Sequence, residues 1–173
     1  MNRVKEINNL ISQYLEKYLH YLRYETPPEE LSNLSEHWPV DLIERCLALA
    51  LAILPHNANV LRDLAQVYAK AKSADVQKTI WRALGKTHNL TGPHYLIHLD
   101  GPVRGLEQTN PDLLNLITNC PDHCESFITR VLHILTDKNT FSPELVDAVR
   151  TLMKSKQMEV RFLIPVLGAL TKR

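Results

Sequence analysis

Cys120, His123 and Cys124 lie within five residues, a grouping that invites a zinc reading. Zinc takes about four ligands in a tetrahedron, usually from two separated pairs. No second Cys/His pair stands at a matching distance, so these residues read as buried cysteines beside an exposed histidine. A helix opened by Pro121 would turn Cys124 toward the core beside Ile128. His88, His94 and His98 cluster in a stretch rich in glycine and proline. Histidine is a common general base and metal ligand. Yet no nucleophile with an acidic orienter is recognisable near them, and no HExxH or Gly-rich phosphate loop occurs. Glu29-Glu30 follows two prolines and reads as a solvated turn, while Asp137-Lys138 closes a helix. Neither acid has a locatable partner for acid-base work. The residues therefore predict no enzyme, no cofactor and no metal.

The basic side chains Arg150, Lys154, Lys156, Arg161, Lys172 and Arg173 gather toward the end of the chain. They are suited to phosphates or an acidic peptide, but a solvated helix face explains them more simply. Phe162 is the one aromatic residue among them, so no series of aromatics is interleaved to stack bases. The whole chain carries 20 basic and 19 acidic side chains, a net charge of +1. That balance argues against nucleic acid as the main ligand. Three cysteines do not make a disulfide framework, which fits a reducing compartment. No secretory signal is visible at the start. The longest apolar run, Cys46 to Leu54, falls far short of the roughly 20 residues that span a bilayer.

Along the chain, apolar spacing predicts helices throughout. Val4, Ile7, Ile11, Tyr14, Tyr18 and Tyr21 fall three or four apart, giving a long amphipathic helix from about Arg3 to Arg23. We expect its stripe to pack on the next helix rather than form a coiled-coil dimer. Thr26-Pro27-Pro28 ends it. Pro39 opens a helix through Leu47 and Leu51, and Asn57 or Asn59 caps a third. Ser73 caps a fourth, which stops at Gly85. From 85 to 105 the periodicity fails, and a long irregular loop or insertion is expected. Asn110-Pro111 and Ser142-Pro143 are cap-and-proline starts about 32 residues apart, within the range of helical repeats. Leu113, Leu114 and Ile117 stripe the first of these helices. Val160 to Leu167 is apolar on nearly every side and is expected to lie inside the stack. Leu47, Leu51, Leu132 and Leu163 are predicted core residues. The fold class expected is all-α, about eight helices forming antiparallel pairs in a HEAT-like α-solenoid, with 1–173 as one helical-repeat domain. The junction Leu54-Pro55-His56-Asn57 is similar to a tetratricopeptide turn, although the small-residue pattern of that repeat is incomplete.

Three blocks carry a family resemblance. They are Leu22 to Pro28, Asn57 to Lys70, and Pro102-Val103-Arg104-Gly105 continuing to Leu167. The last contains Asn119-Cys120-Pro121, Leu135-Thr136-Asp137-Lys138, Ser142-Pro143-Glu144-Leu145-Val146 and Val160-Arg161-Phe162-Leu163-Ile164-Pro165. Together they resemble the C-terminal conserved region of symplekin, a scaffold family of pre-mRNA 3′-end processing. The stretch Gly85 to Asp100 departs from that pattern. The resemblance implies a nuclear, non-enzymatic scaffold. Its implied partners are the cleavage endonuclease of the metallo-β-lactamase class, its inactive homologue and other cleavage and polyadenylation factors, with no membrane and no direct nucleic acid. A fragment or shortened form is the corresponding expectation for the chain. Arg104, Arg161 and Phe162 are the candidate partner-binding residues, since Arg and aromatic side chains commonly anchor interfaces. The alternatives are a tetratricopeptide-like adaptor of another pathway and a weak RNA-binding helical domain.

Overall fold

The computed structural model describes residues 2–32, 35–83, 103–136, 141–158 and 164. Among these residues are seven α-helices with described bounds, further helical residues at 103–104 and 164, and no strand. In chain order they are α1 (Asn2–Tyr21), α2 (Val40–Ile53), α3 (Asn59–Lys70), α4 (Ala74–Ala83), α5 (Pro111–Thr118), α6 (Glu125–Thr136) and α7 (Pro143–Lys156). The fold is all-α with packed helix–helix contacts.

Local chemistry explains most of the starts. Asn110 Oδ1 accepts from the backbone N–H groups of Asp112 and Leu113 at 3.0 and 3.1 Å, and Pro111 follows where no N–H is needed. Ser142 Oγ does the same for Leu145 N–H at 3.1 Å, with Pro143 behind it. Pro39 precedes α2 as its cap residue instead of occupying the first turn. The Leu54–His56 3₁₀ turn closes α2, and Asn57 Oδ1 then accepts from Asn59 N–H at 3.1 Å to open α3. One start differs from expectation. α6 begins at Glu125, not Pro121, because the chain first turns through His123 at φ 65°, a left-handed conformation that interrupts a helix.

Packing centres on α3, which touches α1, α2, α4, α5 and α6. Val60, Leu61, Leu64, Ala65 and Val67 of α3 are all buried. α1 also meets α2, α2 meets α4, and α5 lies along α7. Apolar side chains from every helix join one buried cluster, with Phe127 its largest fully buried member. Leu47, Leu51 and Leu132 belong to it as expected, while Leu163 lies outside the described residues. In α5 the buried residues are Leu113, Leu116 and Ile117, and Leu114 is only partly covered, so Leu116 replaces Leu114 in the stripe. Of the apolar stretch 160–167 only Ile164 is described. Its backbone is helical and its side chain is 64% exposed, against the expected burial. The loop expected at 85–105 and its histidines fall mostly outside the described residues. Val103 and Leu106 at its end are buried.

Candidate interaction surface

α1 is longer than its neighbours. At 1.5 Å per residue its 20 residues extend about 30 Å, against about 21 Å for α2 and about 18 Å for α3. Only its C-terminal half is covered. Leu19 and Leu22 are buried, and Leu15, Tyr18 and Tyr21 pack partly against the core. Val4 shows the contrast most clearly. It is 64% exposed, although positions 4, 11, 15 and 22 share one helix face and Leu22 is fully buried. Ile7, Leu10 and Tyr14 are likewise exposed. The stripe expected to pack on the next helix does so only from about Leu15 onward. The bare half is a contiguous apolar strip with no described element opposite it.

The covered half is fixed by specific contacts. Trp38 is buried, and its indole N–H donates to the Tyr24 carbonyl at 3.1 Å, closing the connection from α1 to α2. Glu30 reaches back to α1, pairing with Lys17 at 2.9 Å and accepting from the Tyr21 hydroxyl at 2.9 Å. Those two donors, Lys17 first, hold the Glu30 carboxyl below its ordinary value. Glu30 is thus a loop fastener. On the α3 side of α1 lies a cleft bordered by Leu15, Glu16, Arg23 and Asp63. Burial pushes the Asp63 carboxyl up, only partly offset by Arg23 and Arg62. Arg23 Nε is buried without a hydrogen-bond partner among the described residues.

The residues singled out by chemistry are placed as follows. Cys124 is fully buried, and its thiol donates to the Ala65 carbonyl oxygen at 3.2 Å. Cys120 is buried with its thiol on the Pro121 carbonyl at 3.4 Å. Burial pushes these thiols up to about 11 and about 12 respectively. His123 is exposed. Among the described residues no group of three or more His, Cys, Asp or Glu is placed to hold a metal ion. No described helix is long and apolar enough to cross a membrane. Of the basic residues near the end, Arg150, Lys154 and Lys156 are described, and Lys172 and Arg173 lie outside the described residues. Lys156 pairs with Asp122 at 2.6 Å and Glu125 at 3.8 Å, and Arg150 sits 3.6 Å from Asp147. Arg104 is half-buried and helical like Val103, just before the turn at Gly105, and is engaged in an interaction of its own. Arg161 and Phe162 lie outside the described residues, as do His88, His94 and His98.

The exposed strip of α1 was not readable from periodicity, because periodicity reports a helix face and not the length of the helices opposite it. The one available signal was that the predicted α1 outran its successors. No protein-family model matches the chain, and no solved structure gives a significant match.

Proposed function

We propose that this chain is a non-enzymatic helical scaffold that binds other proteins. The observation that carries the reading is the bare apolar half of α1. Monomeric proteins rarely leave a contiguous apolar strip exposed unless it meets a partner. A helix-in-groove or helix-on-helix contact suits it, with Val4, Ile7, Leu10 and Tyr14 as anchors at helical spacing. Contacts of α1 with α3 and of α2 with α4 fit stacked helix pairs and support a HEAT-like solenoid as the finer architecture.

The resemblance to the symplekin C-terminal region supplies the partner class. On that reading the chain works in the nucleus, holding the cleavage endonuclease of the metallo-β-lactamase class, its inactive homologue and other 3′-end processing factors. Arg104, Arg161 and Phe162 are further proposed contact residues, chosen because Arg and aromatic side chains commonly anchor interfaces, with core packing the alternative role for Phe162. The test is co-purification of the chain with the C-terminal regions of the endonuclease and the homologue, beside an RNA control. Retention of either protein, lost on Ile7→Glu with the helical circular dichroism intact, is the expected result. A folded chain that retains neither protein, or that retains only RNA, overturns the assignment.

A further inference from the structure

A second surface, separate from α1, is built around Trp81. This residue on α4 is 41% exposed, unlike Trp38, which is buried. Its ring stacks on Tyr68 of α3, with centroids 6.0 Å apart and planes 29° from parallel. Tyr68 rests in turn on the fully buried Phe127 of α6 at 5.8 Å. The Arg130 guanidinium, also on α6, lies over the indole at 6.0 Å. Three helices thus hold one tryptophan rigidly at the surface. The α3–α4 turn is fastened beneath it, because Gln77 Nε2 donates to the Tyr68 and Ala71 carbonyls at 3.1 and 3.4 Å. A shallow depression results, lined by Tyr68, Ala74, Gln77, Lys78, Trp81 and Arg82.

The two charged side chains that line it are both basic. Lys78 and Arg82 flank Trp81 on α4, both exposed, and neither forms an ion pair among the described residues. Asp75 is the only acid on α4. A preorganised indole in a basic rim is the kind of pocket in which binding energy concentrates, since its side chain loses little entropy on binding. Two occupants meet cations: an acidic peptide and single-stranded RNA. Base stacking needs a bare aromatic face. Here the ring already has Tyr68 stacked on it and Arg130 over it, and Ala74 adds an apolar wall to the depression that suits an aliphatic side chain. The near-zero net charge of the chain also disfavours a nucleic-acid groove.

We propose that the Trp81 depression is a docking site for a short acidic peptide segment bearing a large aliphatic side chain, its carboxylates meeting Lys78 and Arg82. The probe is a fluorescein-labelled synthetic peptide in which glutamates alternate with leucines, read by fluorescence anisotropy. Its lysine counterpart and an oligouridine serve as comparisons. The acidic peptide should bind in a salt-sensitive manner, and Trp81→Ala should weaken it by about tenfold or more. Lys78→Glu/Arg82→Glu, two fully surface changes that leave the core intact, should do the same with an unchanged melting temperature. Absence of acidic-peptide binding by the folded chain overturns the site. So does binding that both variants leave unchanged, or tighter binding of the oligouridine that is lost on Trp81→Ala. None of these readings depends on α1, so Ile7→Glu should leave the peptide affinity unaltered.

Discussion

Cys120 and Cys124 show how context removes the chemistry that spacing offers. Each thiol is buried and donates to a carbonyl, and burial holds their titration at about 12 and about 11, far above neutral pH. Cys46, buried in α2, is pushed up to about 11 in the same way. The thiolate is the reactive form, so a thiol reagent such as DTNB should label all three cysteines only as fast as the protein opens. Rapid stoichiometric labelling of the native chain would refute this. Lys156 plays a different part, tying the end of α7 to Asp122 in the turn before α6. Its hydrogen bond holds the Asp122 carboxyl below the ordinary value and its own ammonium above. A carboxyl lowered in the fold stabilises above its unfolded pKa of about 3.9, and that contribution disappears as pH falls through the folded value. Lys156→Met should therefore lower the melting temperature at pH 7, with the gap to the wild type closing as pH falls below the ordinary carboxylate range. A gap of constant size across that range would show that packing of the lysine stem, not the pair, is responsible.

Gln108 holds two helices at once. Its amide donates to the Leu135 carbonyl at 3.2 Å, near the end of α6, and its carbonyl accepts from Ser142 N–H at 2.8 Å, at the cap of α7. Removing a partly buried partner of two backbone groups costs about 1–3 kcal/mol, so Gln108→Ala should destabilise by that order in urea unfolding. Nothing in the sequence marked this residue, because its partners lie 27 and 34 positions away. The caps at Asn110 and Ser142 were readable for the opposite reason: the acceptor and its donors sit within three residues. Pro121 misled because proline marks a helix start only where the following residues keep right-handed angles, and His123 does not. The burial in α3 and the bareness of α1 separate stability from binding. Leu64→Ala, at a fully buried position, should cost about 2–5 kcal/mol. Ile7→Ala, 55% exposed, should change stability by no more than about 0.5 kcal/mol. Equal costs at the two sites, measured by denaturant unfolding, would mean the α1 strip is covered in solution.

The molecule as a whole is a set of helices gathered on α3, with one helix overreaching the rest. The all-α character followed from spacing alone, since stripes three and four apart recur from Val4 to Leu84 and again from Leu113 to Leu152. Which helix lies beside which did not, because similar leucine-rich faces fit several partners. Net charge near zero, an apolar strip on α1 and a half-exposed tryptophan set among basic side chains are the observations on which the proposed protein-binding role rests. The N-terminal turns of α1 hold Arg3 and Lys5 where the helix dipole favours acids, and they have few packed neighbours. Alone, they should open readily. The most direct measurement is hydrogen exchange at the amides of residues 5–14, in the free chain and in the complex retained with the endonuclease or its homologue. The account predicts fast exchange in the free chain and strong protection in the complex. A stable complex in which these amides exchange as fast as before would contradict it.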